Sequence, residues 1–181
     1  MKLKYASKNK GLALIEALIW FAIFAAVVAG IFALYSSSRN ANNAATVNKE
    51  LSTIFSQTEQ LFASEDTKDL TDNKVALQLG IFPKSLKVST DGTTISNVFG
   101  GKVTLTGQTP SGFTVIYTNV PTGEVCSNII RAQKAVGWDT ADTGTTVSYN
   151  STYSINKVAT ACGDNGKKAI SLTFVRLNAN A

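Results

Sequence analysis

The sequence predicts an α+β protein in which one long helix is followed by an antiparallel sheet. Three observations carry that expectation. An apolar run at 12–35 passes into a one-sided helical pattern that ends near Ala63; period-two alternation replaces the helical period beyond about residue 100; and a composition of 44% hydrophobic and 16% charged residues over 181 positions is that of a folded chain. With 13 Gly and 3 Pro, collagen-like and linker-like compositions are excluded.

The helix comes first. From Leu12 to Tyr35 the chain reads LALIEALIWFAIFAAVVAGIFALY, broken only by Glu16, and about 20 apolar residues suffice to cross the hydrocarbon core of a bilayer as a helix. Val47, Leu51, Ile54, Phe55, Thr58, Leu61 and Phe62 then recur at three- and four-residue spacing, with Asn48, Lys49, Ser52, Gln57 and Glu59 between them. The spacing predicts one helix from Leu12 to about Ala63, apolar all round over 12–35 and amphipathic over 36–63, its second half packed on a domain. A coiled-coil seam is the weaker reading, because the heptad does not persist beyond Phe62. Gly30 lies inside this helix beside Val27, Val28 and Ile31, a locally weak helical stretch. Close packing of helices in a membrane is one explanation for a glycine there.

Residues 64–181 form the expected globular α+β head. Ser64 opens a connecting loop; a short helix runs from Asn73, read as its cap, through Leu79, with Gly80 and Pro83 closing it. Val103 and Leu105, then Phe113, Val115 and Tyr117, then Ile170, Leu172 and Phe174 alternate with polar residues as half-buried strands do. Weaker strand signals lie at Thr145–Tyr149 and Tyr153–Val158, and a short helix from about Glu124 to Val136 ends at Gly137. No internal repeat is evident.

The chain has no His, which removes Ser-His-Asp and Cys-His nucleophilic sites, His-ligated zinc and the commonest general base. No enzyme, cofactor or metal is expected. The net charge of +5 arises mainly at the N-terminus, where Lys2, Lys4, Lys8 and Lys10 stand without an acid; the other 13 bases face 12 acids. This distribution argues against direct nucleic-acid binding. Basic residues before the apolar run and SSSRN after it place the short end in the cytoplasm and the bulk across the membrane. A cleaved secretory signal fits poorly, because apolar residues continue past Ala29 and Gly30 to Tyr35; an uncleaved anchor is the stronger alternative.

Against an ordinary anchor stands Lys10, Gly11, Leu12, Ala13, Leu14, Ile15, Glu16: a Gly directly after a basic leader, then an apolar helix whose fifth residue is Glu. This pattern resembles the type IV prepilin family. The resemblance implies that a membrane prepilin peptidase cuts after Gly11, that the leader 1–11 is lost, that Leu12 becomes the new N-terminus and that the helix is kept. The Leu start and short leader look like the type IVb branch, and GLALIEALIWFAIFAAVVAG is similar to major pilins of conjugative-plasmid thin pili and bundle-forming pili. The diagnostic match covers about the first 35 residues. In the family, Glu16 matches a near-universal acidic residue, and the Gly30 region matches a place where related pilins unwind on leaving the bilayer.

A charge in a membrane helix costs on the order of 2.5 to 3.5 kcal/mol at its centre on insertion scales, so Glu16 needs a partner. No Lys or Arg occurs between Lys10 and Arg39. Cleavage after Gly11 would create one nearby cation, the α-amine of Leu12. An intersubunit pair of this kind would set the axial register of a filament; a Glu16 that snorkels to the headgroups is the other reading. Cys126 and Cys162, in a translocated domain, are expected to form a disulfide joining the short helix to the segment before the last strand. Unlinked buried thiols and a two-ligand Cys metal site are the alternatives. The resemblance implies a C-terminal disulfide-bounded region that often carries variable surface.

Other signals lack specificity. Gly100-Gly101 reads as a turn; Asp139, Asp142 and Asp164 lack a calcium-loop signature; Asn150-Ser151-Thr152 fits a glycosylation sequon only formally; Lys167-Lys168 reads as a solvated hairpin tip. The expected function is that of a major pilin: an inner-membrane precursor with its head in the periplasm of a Gram-negative bacterium, assembled by the inner-membrane pilus machinery into an extracellular homopolymer for cell-cell contact in conjugation or adhesion. A minor pilin or tip adhesin, set apart by its copy number together with a large extra C-terminal domain, and a type II secretion pseudopilin, against which the disulfide argues, are the alternatives.

Overall fold

The computed structural model describes residues 10–108, 111–163 and 168–177. Leader residues 1–9, Asp164 and Lys167 lie outside the described residues. The chain divides into two compact units, Met1–Asn40 and Ala41–Ala181, and helix α1, Lys10–Leu61, contributes residues to both.

In the first unit α1 is helical through Gly30, where an added Cβ would meet nothing within 4 Å. Its large apolar side chains find no cover in the chain: Trp20 is 67% exposed and Phe21 75%, and no residue of the membrane-length apolar window is buried.

In the second unit the amphipathic stripe of α1 is buried as the spacing predicts: Val47, Leu51, Ile54, Phe55, Thr58 and Phe62 all lie in the core, together with Ala44. The Thr58 hydroxyl is satisfied by donating to the Ile54 carbonyl at 2.8 Å. Leu61 departs from the expected stripe. As the last helical residue it lies beyond the sheet core and lines a groove with Val75 and Leu79 instead.

The sheet has seven strands: β1 (Lys87–Val88), β2 (Ile95–Ser96), β3 (Lys102–Gln108), β4 (Gly112–Pro121), β5 (Thr140–Asp142), β6 (Thr146–Ser148) and β7 (Ala169–Arg176). Their order is β1-β2-β3-β4-β7-β5-β6, antiparallel throughout. Because side chains alternate between faces, register decides which residues share the core. Leu105, Val115, Phe174, Ala141 and Val147 form one buried row across five strands. The neighbouring row on the opposite face is Thr106, Thr114, Val175, Thr140 and Ser148. An irregularity between Tyr117 and Val120 coincides with Asn119 at φ 61°, whose amide donates to the Phe99 carbonyl at 2.6 Å.

Helix α2, Asn73–Gln78, forms where expected but is capped by Asp72, whose carboxylate accepts from the backbone N–H of Lys74 and Val75. Asn73, read as the cap from sequence, ties α2 to β3: its amide donates to the Val103 carbonyl at 2.7 Å and its oxygen accepts from Leu105 N–H at 2.9 Å. A 3-10 turn at Thr67–Asp69 lies against the same strand. The approach is so close that a Cβ on Gly107 would fall 1.7 Å from the Thr67 carbonyl oxygen, so only glycine fits there.

Helix α3, Glu124–Gln133, stops three residues short of Val136, whose N–H closes a tighter turn onto the Gln133 carbonyl at 3.1 Å. Gly137 follows at φ +121°, its Cα face turned to the Phe55 ring. The strand expected at Tyr153–Val158 is a correction: Ile155–Cys162 is helix α4. Ser154 caps it, accepting from Lys157 N–H at 3.2 Å, and Val158 and Cys162, four residues apart, are its buried face. At the core's centre Trp138 meets Phe55, Phe113 and Phe174 at ring separations of 4.8, 5.4 and 5.6 Å. Each such pair contributes about 0.5 to 1.5 kcal/mol beyond area burial.

Candidate functional site

Gly11 and Leu12 lie in the first turn of α1. Glu16 follows one turn further along, on a helix whose every residue from Leu14 to Tyr35, Val28 excepted, is exposed in the isolated chain. Among the described residues Glu16 makes no ion pair; both ion pairs found involve Arg176, with Glu59 and Asp139. An apolar cylinder of this length, carrying one carboxylate and no cation, is built to be surrounded by lipid or by other helices.

In the head, Cys126 and Cys162 form a disulfide with a Cα–Cα distance of 5.6 Å. It joins the first turn of α3 to the last residue of α4, and both cysteines are fully buried. The Gly123 N–H donates to the Cys162 carbonyl at 3.0 Å beside the bridge. The bounded region carries α3, β5, β6 and α4.

Among the described residues the remaining sequence signals lie in turns and local hydrogen bonds. Asp139 accepts from Leu177 N–H at 2.8 Å and pairs with Arg176; Asp142 accepts from Gly144 N–H and the Thr146 hydroxyl. Asn150 accepts from Thr152 N–H at 2.9 Å. Gly100 has φ +75°, in a turn organised by the Asn97 side chain. Among the described residues no cluster of His, Cys, Asp or Glu is placed to hold a metal.

Sequence reasoning missed the polar insertions into the core. Glu50, only 1% exposed, sits on the buried face of α1. It accepts from the Ser85 hydroxyl at 2.9 Å and from the Tyr117 hydroxyl at 3.4 Å. Burial pushes its carboxyl above the ordinary value, the two hydrogen bonds only partly opposing, and burial together with the Glu50 charge pushes Tyr117 up in turn. Gln133 donates to Asn48 and accepts from the Trp138 indole N–H at 3.0 Å, stitching α3 to α1.

Because the folded Glu50 holds its proton more tightly than the unfolded chain does, its contribution to stability is fullest below the unfolded carboxyl value, about 4.3, and is lost as pH rises through the folded value. Thermal melts of the full chain in detergent should therefore show stability declining from pH 4.5 to 7.5 more steeply in the wild type than in Glu50→Gln. Parallel pH profiles would contradict this reading of the site.

A family model described as PilS N terminal matches residues 41–175. Among solved structures the fold is similar to the crystal structure of a type IV b pilin from Salmonella typhi, with a TM-score of 0.58 and 19% identity over 76% of this chain and 99% of that one. None of the curated proteins matches the chain. The chain therefore belongs to the PilS N-terminal family and has the type IVb pilin fold.

Proposed function

We propose that this pilin is the major subunit of a type IVb pilus, cleaved after Gly11 and polymerised through residues 12–35. The observation that carries this reading is the helix itself. Its apolar side chains are uncovered in the isolated chain, and at roughly 25 cal/mol per Å2 of apolar surface they require a bilayer before assembly and neighbouring subunits after it. The Leu12 α-amine released by cleavage supplies the cation that Glu16 lacks. Gly30 marks the stretch that unwinds when the subunit leaves the membrane. The precursor resides in the inner membrane of a Gram-negative bacterium with its head in the periplasm; prepilin peptidase and the inner-membrane assembly machinery are its processing partners. The assembled filament serves cell-cell contact in conjugation or adhesion, a structural role without turnover and without direct contact to nucleic acid.

The test is processing. Glycine presents no side chain at the scissile position, so Gly11→Val should leave the unprocessed chain in the membrane, with the mature species reduced to a few per cent or less in immunoblots of membrane fractions. Leader removal at the wild-type rate would overturn the assignment of the cleavage site.

A further inference from the structure

The end of α1 and the neighbouring α2 enclose a groove of about 370 Å3. Its apolar floor is Leu61, Phe62, Val75 and Leu79, and its rim carries Glu65 and Asp69. Leu61 and Leu79 are each 44% exposed, a considerable apolar opening on a head whose other large side chains are mostly buried. Neither rim carboxylate meets a cation among the described residues. With Asp66 and Asp72 in the same stretch of chain, four acids stand against two bases, Lys68 and Lys74, so the net charge around the groove is negative.

The complementary feature lies elsewhere on the same head. Ile155, in the first turn of α4, is 62% exposed, and Ala159, four residues on and therefore on the same helical face, is exposed with it. Two cations are held beside this ridge. The Lys134 ammonium sits 4.4 Å from the centroid of the Tyr153 ring, and the Lys157 ammonium donates to the Thr152 carbonyl at 3.1 Å. Neither meets a carboxylate among the described residues. The groove and the ridge are far apart in one molecule. Helix α2 is bonded to β3 and α4 packs by β6, and β4, β7 and β5 stand between those strands, a separation of about 19 Å at the usual strand spacing.

We propose that the α4 ridge of one copy docks into the α1–α2 groove of the next, with Ile155 on the apolar floor and Lys134 and Lys157 facing Glu65 and Asp69. Two unlike, complementary patches on one chain make a heterologous contact, which propagates along an assembly instead of closing a dimer. The apolar insertion supplies the hold. The exposed charge pairs, individually weak, fix which way round the heads meet. This docking rests on the reading of the chain as a filament subunit and adds to it a head-to-head contact independent of the apolar helix.

The experiment uses the full chain in pilus-producing cells. Leu79→Cys combined with Ile155→Cys should give a ladder of covalent multimers from sheared fibres on non-reducing gels, and either cysteine alone should not. Glu65→Lys with Asp69→Lys should lower fibre yield at least about tenfold at an unchanged membrane pool; adding Lys134→Glu and Lys157→Glu should restore it to within about twofold. Protease resistance of each variant reports that its head is folded. Fibres that form without a ladder, or a yield unmoved by the charge reversal, overturn the docking. Absence of fibres from the wild-type chain under the same conditions would instead overturn the filament reading, and the docking with it.

Discussion

Glu16→Val should abolish surface fibres while leaving the membrane pool of Leu12-started subunit at or above the wild-type level. Valine is more favourable than glutamate in lipid, so insertion is not impaired. In the proposed filament the same change would strand the Leu12 ammonium of the adjoining subunit in an apolar bundle, at a cost of several kcal/mol for a well-buried pair that loses one partner. The cost recurs at every added subunit, so fibre yield should fall by orders of magnitude although the head, which Glu16 does not enter, remains folded. Fibre recovery by shearing, normalised to the membrane pool, measures this directly. Normal fibres from Glu16→Val would mean that the carboxylate merely snorkels to the headgroups and sets no register.

Cys126→Ser should produce the largest loss of stability in the head. The bridge closes a loop with a sequence separation of 36, for which loop entropy gives about 4 kcal/mol, an upper expectation. Against a typical domain stability of about 5 to 15 kcal/mol, that is a large fraction, equivalent to roughly 10 °C in Tm for a head of this size. The serine hydroxyl would also be placed in a fully buried position. The consequence is local first: α3 and α4 pack on each other through the bridge, so cleavage by added protease should begin between them. Membrane insertion through the proposed span 12–35 should be unaffected. Equal protease resistance of the wild type under oxidising and reducing conditions would contradict the role given to the bridge.

What was legible in the sequence follows the range of the interactions involved. The long helix was readable because its pattern is written in consecutive turns, and β3, β4 and β7 because each alternates over enough residues to reveal one face. The strands β1, β2 and β5 span two or three residues; they are strands because a neighbour pairs with them, and no local pattern announces that. The misread Tyr153–Val158 segment contains both signals: alternation at Tyr153, Ile155 and Val158 is loose, whereas the Ser154 cap and the four-residue spacing from Val158 to Cys162 agree with each other and prevail. Strand order was out of reach, since the insertion of β7 between β4 and β5 depends on partners distant in sequence.

The site divides along the same line. Gly11, Leu12 and Glu16 lie in one stretch of chain, and the cleavage and register roles proposed for them rest on that local motif alone. Glu50 could not: its partners Ser85 and Tyr117 lie 35 and 67 residues away, and a glutamate beside a buried stripe is ordinarily solvated. The same holds for the groove between α1 and α2, whose acidic and apolar parts come together only when the 62–72 connection folds back on β3.

Processing and assembly are read together from the intact mass and N-terminal residue of the dominant protein in sheared surface fibres from cells expressing this chain. A major subunit cleaved after Gly11 should give one dominant species beginning at Leu12, with its disulfide intact. Fibres lacking this chain, or a chain recovered only in membranes with residues 1–11 still attached, would contradict it.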